Sequence, residues 1–371
     1  MLERVKLLMM MVGCSLVACG GAPGTDVGQA DSQSAEELLA PRGGHFFTRT
    51  LASDGSLIRD LAVDGSSVYY VSASALDPSQ PLNTVGRAAA VSKLGGRPRV
   101  LDATLQGGGS VAVNDRSVFF TGTVDTVNGR QPAIFHQPKV GGRTSRFAPS
   151  FSSGLGDNSD PPLLLADDLQ VYATDGIEEL YRIPIATQSP VALLQSADHV
   201  SIAVSPREVF LAEGRNCSSF IAEIRKNAPA GTVSEGAPSP FASFIDDESV
   251  VCVVWSMAVS GSTLYWNSLF GGLFSAHLNG APALPDAPKL LLASDPTDGD
   301  SLHGMRYIAV VPPNLYFTTA DGALKSIPEL GGAVTTVVAS DVNPDVRIGA
   351  DDDSVYWVSS AADQLRRTRV R

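Results

Sequence analysis

Four cysteines carry the most reactive side chains of this 371-residue chain: Cys14, Cys19, Cys217 and Cys252. A thiolate is the strongest side-chain nucleophile and takes up an alkyl or acyl group, a second thiol or a soft metal. The setting of Cys19 points to the first of these. Arg4 and Lys6 are followed by an apolar run over 7–18, broken only by Gly13, Cys14 and Ser15, and the run ends in Leu16-Val17-Ala18-Cys19-Gly20. A cationic start and a short apolar stretch describe an export signal, too short for the roughly 20 residues that cross a bilayer. Cys14, in Met11-Val12-Gly13-Cys14, has too little apolar chain before it to serve the same purpose.

Leu16-Val17-Ala18-Cys19 resembles the lipobox of bacterial lipoproteins at all four positions. The resemblance implies cleavage before Cys19, transfer of diacylglycerol to its sulfur and acylation of the new amine. Several acyl chains hold a protein where a single one would not. The expectation is therefore a signal peptide over 1–18 and lipid attachment at Cys19. The location it implies is the envelope of a bacterium, with the lipid bilayer as a partner. Gly20, in place of Asp, resembles signals sorted to an outer membrane. Residues 19–43 are rich in Gly, Ala, Ser and acid. They read as a flexible tether spanning roughly 25–30 Å.

The remaining reactive residues lack the spacing of a site. His45, His136, His199, His277 and His303 show no metal-ligand pattern,. Asp167-Asp168 and Asp351-Asp352-Asp353 sit where turns are expected, and Asp side chains there bond their own backbone,. The acidic stretch 295–300 resembles a calcium loop faintly but has no bidentate Glu at the twelfth position,. No phosphate-binding glycine loop, nucleophile elbow or Ser-His-Asp order is present. No catalytic residue, cofactor or metal is therefore expected. The net charge of −12 argues against nucleic acid as a partner,. Apolar residues at 44% and charged residues at 18% exclude a disordered chain,.

What would position any site is a repeat. A twelve-residue unit recurs as LAVDGSSVYYVS from Leu61, VAVNDRSVFFTG from Val111, LLADDLQVYATD from Leu164 and IAVSPREVFLAE from Ile202. It returns as MAVSGSTLYWNS from Met257, IAVVPPNLYFTT from Ile308 and IGADDDSVYWVS from Ile348. Its first position is a large aliphatic and its ninth is always Tyr or Phe. Its middle is polar or turn-forming, which reads as a hairpin. Each hairpin precedes a third run, a turn (often Gly-Gly) and a fourth run ending in an Ala-Ser-Asp-like phrase. Four antiparallel strands per unit predict an all-β fold, a seven-bladed β-propeller over 44–371. The last unit supplies only three strands. The missing one is expected over 46–52, so that the N-terminal strand closes the last blade and removes a free edge.

Val355-Tyr356-Trp357-Val358-Ser359, Leu264-Tyr265-Trp266-Asn267 and Tyr172-Ala173-Thr174-Asp175 resemble the YWTD-like and TolB-like propeller repeats. The receptor propellers of that kind have six blades, so a count of seven departs from them. In such a fold the loops holding Cys217 and Cys252 are neighbours. Outside the cytoplasm they are expected to form a disulfide closing 252 − 217 = 35 residues,. The expected function is a membrane-anchored binding or scaffold module. An unknown protein, glycan or small molecule would meet a rim of loops at 72–89, 146–162 and 236–251. A metal-dependent, lactonase-like hydrolase is the alternative, and it needs carboxylates and Asn converging on the channel mouth.

Overall fold

The computed structural model describes residues 46–74, 85–106, 109–127, 129–148, 163–174, 180–194, 199–205, 208–215, 218–225, 242–244, 254–268, 272–278, 289–293 and 304–371. These form seven four-stranded antiparallel sheets. Consecutive inner strands adjoin one another and the last adjoins the first, so the sheets stand as blades around a central axis. Within the described residues no helix is long and apolar enough to cross a membrane.

The expected count of seven blades is corrected to six continuous blades and one composite sheet. Six blades are complete runs of four consecutive strands, over 57–106, 111–148, 164–194, 199–244, 254–292 and 305–338, numbered 1 to 6 below. The seventh sheet is a composite. It joins Phe47–Ser53 to the strands Gln364–Arg369, Ser354–Val358 and Gly349–Ala350. Its inner strand is only two residues long, against seven in Leu57–Val63 of blade 1. The inner strands of blades 2 and 3 have three residues each, and the position of Gly349 is crowded. A Cβ built at Gly349 would lie 2.5 Å from Val63 Cγ2 and 2.7 Å from Leu61 Cδ1. The closing strand is also shifted by one residue from 46–52, pairing Phe47 with Arg369 and Ser53 with Gln364. Its outer half is exposed, while Leu51 and Ala52 are buried. The hydrophobic step, rather than the tail of the Ala-Ser-Asp phrase, therefore sets its register.

The cores lie between blades. In the second strand Ser67–Ala73 of blade 1, Tyr70 packs with Leu51, Tyr356 and Val358 of the composite sheet. Its neighbour Tyr69 packs on the other side with Val111 and Phe120 of blade 2. A strand buried on both faces must be apolar at consecutive positions, which explains the Val-Tyr-Tyr-Val run. Ala88, Ala89 and Ala90 in the third strand leave room for the rings, and all three are buried.

Candidate functional site

The inner strands of the ring enclose a cavity of about 370 Å³. Its wall is aliphatic, with Leu61, Val111, Leu164, Ile202, Met257 and Ile308 from blades 1 to 6. These are the first positions of the sequence repeat. One residue earlier the chain carries Asp60, Ser110, Leu163, Ser201, Ser256, Tyr307 and Arg347 in turn around the ring. Six of these seven residues are polar, Leu163 being the exception. Ser256 Oγ accepts the backbone N–H of Ile308 in the next blade at 3.3 Å, and Asp60 Oδ2 accepts that of Val111 at 2.9 Å. Within a blade, Thr121, Thr174, Asn267 and Thr318 accept the N–H groups of Ser110, Leu163, Ser256 and Tyr307.

Arg347 is the only charged residue among those lining the cavity. Its Nη2 donates to Asp60 Oδ2 at 2.6 Å and its Nε to Asp60 Oδ1 at 3.0 Å, a bidentate pair,. Nη2 also donates to the Val111 carbonyl at 2.8 Å, and Nη1 to the Leu164 carbonyl at 3.2 Å. One side chain of the composite sheet thus braces blades 1, 2 and 3. Asp60 is 4% exposed, and its second interaction on Oδ1 is the Leu61 N–H at 2.8 Å. Both charges are satisfied internally, so the guanidinium presents no net cation to an anionic ligand.

At the end of the ring where the repeat hairpins turn, a second arrangement joins neighbouring blades. Asp64 Oδ1 accepts the N–H groups of Ser66 and Ser67, each at 2.8 Å, closing the turn. Its Oδ2 accepts the Tyr69 hydroxyl at 2.9 Å and the ammonium of Lys139, from blade 2, at 2.6 Å. The composite sheet repeats the motif with Asp351, Tyr356 and Lys93 of blade 1, the last two each 2.6 Å from Asp351 Oδ2. Each ammonium lies 5.7 Å from the centre of the tyrosine ring it serves,. Burial alone would raise the Asp64 carboxyl, but Lys139, the turn amides and Tyr69 outweigh it and hold the group at about 2,. Asp351 is held at about 2 in the same way by Lys93, Tyr356 and the Asp353 amide. Burial, then the Asp64 charge, pushes Tyr69 up to about 12.

Where a blade lacks this Asp–Tyr pair, the lysine is replaced in the following blade. Blade 2 has Asn114 and Phe119, and the equivalent of Lys139 in blade 3 is Ile185, packed on the Phe119 cluster. Blade 4 has Ser205 and Phe210, and blade 5 supplies Leu278 against the Phe210 cluster. Among the described residues, a lysine is kept at this position only where a carboxylate and a hydroxyl receive it.

Cys19, Cys217 and Cys252 lie outside the described residues, as do His45, His303 and the acidic stretch 295–300. The expected rim loops lie mostly outside them too. His136 is on the third strand of blade 2 beside Phe119 and Phe147, and burial lowers its pKa. His277 is exposed, 3.2 Å from Ser262 Oγ. Asp167 and Asp351 hold their own turns through backbone N–H groups at 2.8–3.0 Å. Among the described residues no three His, Cys, Asp or Glu could hold a metal ion together. The brace residues Asp60 and Arg347 and the lysines 93 and 139 were not singled out by sequence reasoning. A signal existed: the residue before each repeat is charged only in the first and last units, with opposite sign.

No family model matches the chain, and no curated protein matches it. Solved structures do. YCF48 bound to D1 peptide has a TM-score of 0.55 at 14% identity over 90% of this chain and 97% of that one. PorZ, an essential bacterial surface component of the type-IX secretion system of Porphyromonas gingivalis, gives 0.54 at 14% identity, covering 86% of this chain and 37% of PorZ. BamB from Moraxella catarrhalis gives 0.50 at 10% identity over 87% and 100%. At these identities the likeness shows the β-propeller fold alone.

Proposed function

We propose that this protein is a lipid-anchored extracytoplasmic β-propeller that acts as a scaffold or binding module for a macromolecular partner. The observation that carries the reading is the braced channel. The lactonase-like alternative needs carboxylates and Asn converging free at the channel mouth. Here the charged pair at the channel, Arg347 and Asp60, is spent on holding blades together. What a rigid, internally satisfied ring offers is its surface. The lipobox-like Leu16-Val17-Ala18-Cys19 supports the anchor. PorZ, a bacterial surface component of a secretion system, is built on the same fold, which is compatible with this reading.

Two measurements on one culture test this. The full chain and its Cys19→Ser variant are expressed in a Gram-negative host, and membranes are fractionated and crosslinked. The expected result is that native protein sediments with membranes, carries acyl mass on the peptide beginning at residue 19, and crosslinks to a discrete protein. An unmodified Cys19 in the soluble fraction overturns the anchor. Turnover of lactone or ester substrates by the purified chain overturns the scaffold reading.

A further inference from the structure

The hairpin end of the ring is unusual for a chain of net charge −12. The strand Phe47–Ser53 begins there, because Phe47 pairs with Arg369 and Arg369 pairs in turn with Ser354, the first residue after the Asp351 turn. Phe47 is 74% exposed. Next to it, Arg49 donates to the carbonyl of Leu94, in the turn between the third and outer strands of blade 1. The Leu94 side chain is 75% exposed. Val140 in the matching turn of blade 2 is 98% exposed, and Leu330 in that of blade 6 is 82% exposed. Blade 6, the composite sheet, blade 1 and blade 2 are consecutive around the ring. Four apolar side chains therefore stand out of one end along one arc, each at the tip of its blade.

Cations accompany them. Gly-Gly-Arg follows two of the tips, so Arg97 and Arg143 are exposed beside Leu94 and Val140, with Arg369 and Arg371 beside Phe47. Three carboxylates of this end, Asp64, Asp351 and Asp353, are already paired with Lys139, Lys93 and Arg367. Asp115, Asp168 and Asp352 remain exposed at this end, and Glu329 stands half-buried beside Leu330. Arg369 is itself 3.5 Å from Asp353, while Arg97, Arg143 and Arg371 stand exposed. Apolar tips among exposed arginines match the boundary of an anionic bilayer, where side chains bury in the acyl edge while cations meet phosphate.

We infer that this arc rests directly on an anionic lipid surface, with Phe47, Leu94, Val140 and Leu330 inserted. The inference rests on the lipid anchor proposed above, and chain connectivity favours it. The 46 residues before Phe47 carry the anchor sequence Leu16-Val17-Ala18-Cys19, and the chain enters the ring at this end. A tether of roughly 25–30 Å keeps the ring within reach of the bilayer.

The test removes the anchor. The mature chain 19–371 carrying Cys19→Ser is mixed with vesicles of phosphatidylglycerol and phosphatidylcholine, or of phosphatidylcholine alone, and sedimented. Binding is expected to the anionic vesicles, weaker by about tenfold or more on the neutral ones. L94E/V140E and R97E/R143E should each lower it by about tenfold, with thermal melting unchanged because all four residues are exposed. Val127, fully exposed at the opposite end of blade 2, provides the control V127E, which should bind like the parent. Absence of anionic-vesicle binding, or equal loss in V127E, overturns the inference. A dimer that L94E/V140E disrupts, without vesicle binding, assigns the arc to a second copy instead. Acylation of Cys19 in cells is read separately, so a missing lipid with intact vesicle binding sinks the anchor and leaves the arc standing.

Discussion

Arg347 and Asp60 lie 287 residues apart in the sequence and meet at the channel with Nη2 and Oδ2 separated by 2.6 Å. The pair ties the last sheet to the first blade at its inner edge. The closing strand Phe47–Ser53 ties chain start to chain end at the outer edge. The ring is thus locked at two radii.

Removing one half of a buried pair leaves an uncompensated charge, which typically costs about 3–5 kcal/mol. Arg347→Met and Asp60→Ala are each expected to lower unfolding stability by about that amount in urea denaturation. The double variant should lose less than the sum, because no buried charge is then left alone. Additive losses would mean that the two side chains act independently.

The Asp64 and Asp351 staples make stability depend on acid. Both carboxyls have a folded pKa of about 2, below the value of about 3.9 expected in the unfolded chain,. A depressed carboxyl contributes its full stabilisation above the unfolded pKa and loses it as pH falls through the folded one. The melting temperature should therefore fall between pH 4 and pH 2, and D64N/D351N should flatten that slope while lowering stability at pH 7. An unchanged slope in the double variant would place the acid sensitivity elsewhere.

Lys139 and Lys93 are expected to contribute less than the carboxylates, since each ammonium stays partly solvated,. Lys139→Met should cost on the order of 1 kcal/mol. In an Asp64→Asn, Tyr69→Phe background the same change should be neutral or stabilising, as the Asn114–Phe119–Ile185 arrangement already shows within this chain. A constant penalty in both backgrounds would sink the idea that the cation is kept for the Asp–Tyr pair.

Gly349 has no space for a side chain against Leu61 and Val63. Gly349→Ala is expected to destabilise by about 1–3 kcal/mol through overpacking. Shortening the neighbour in G349A/L61V should recover part of the loss. Equal stability of G349A and the native chain in thermal unfolding would show that the composite sheet and blade 1 can separate at no cost.

Leu51 is 4% exposed and packs under the composite sheet with Ile58, Tyr356 and Leu365. Leu51→Ala should cost about 2–4 kcal/mol. Deleting 46–53 should do more, exposing the edge of Gln364–Arg369 and promoting association through it, seen as concentration-dependent light scattering. A deleted chain that stays monomeric and fully stable would show that closure contributes nothing.

Much of the architecture is legible in the sequence because strands and turns are local. The aromatic ninth position, the Asp or Asn that caps four of the hairpins (Asp64, Asn114, Asp167 and Asp351) and the Gly-Gly turns all act within a few residues of themselves. A split last repeat also announces that the two chain ends meet. What only the tertiary structure decided is which side chains of different blades face one another once the ring closes. Asp60 looked like one more residue ahead of a repeat, and Arg347 like another. Their ion pair forms only because closure brings the last inner strand beside the first. The same holds for Lys93 and Lys139, whose partners sit one blade back. Local periodicity dictates the blades. Charges buried between blades depend on packing angles and distances that exist only in the closed ring.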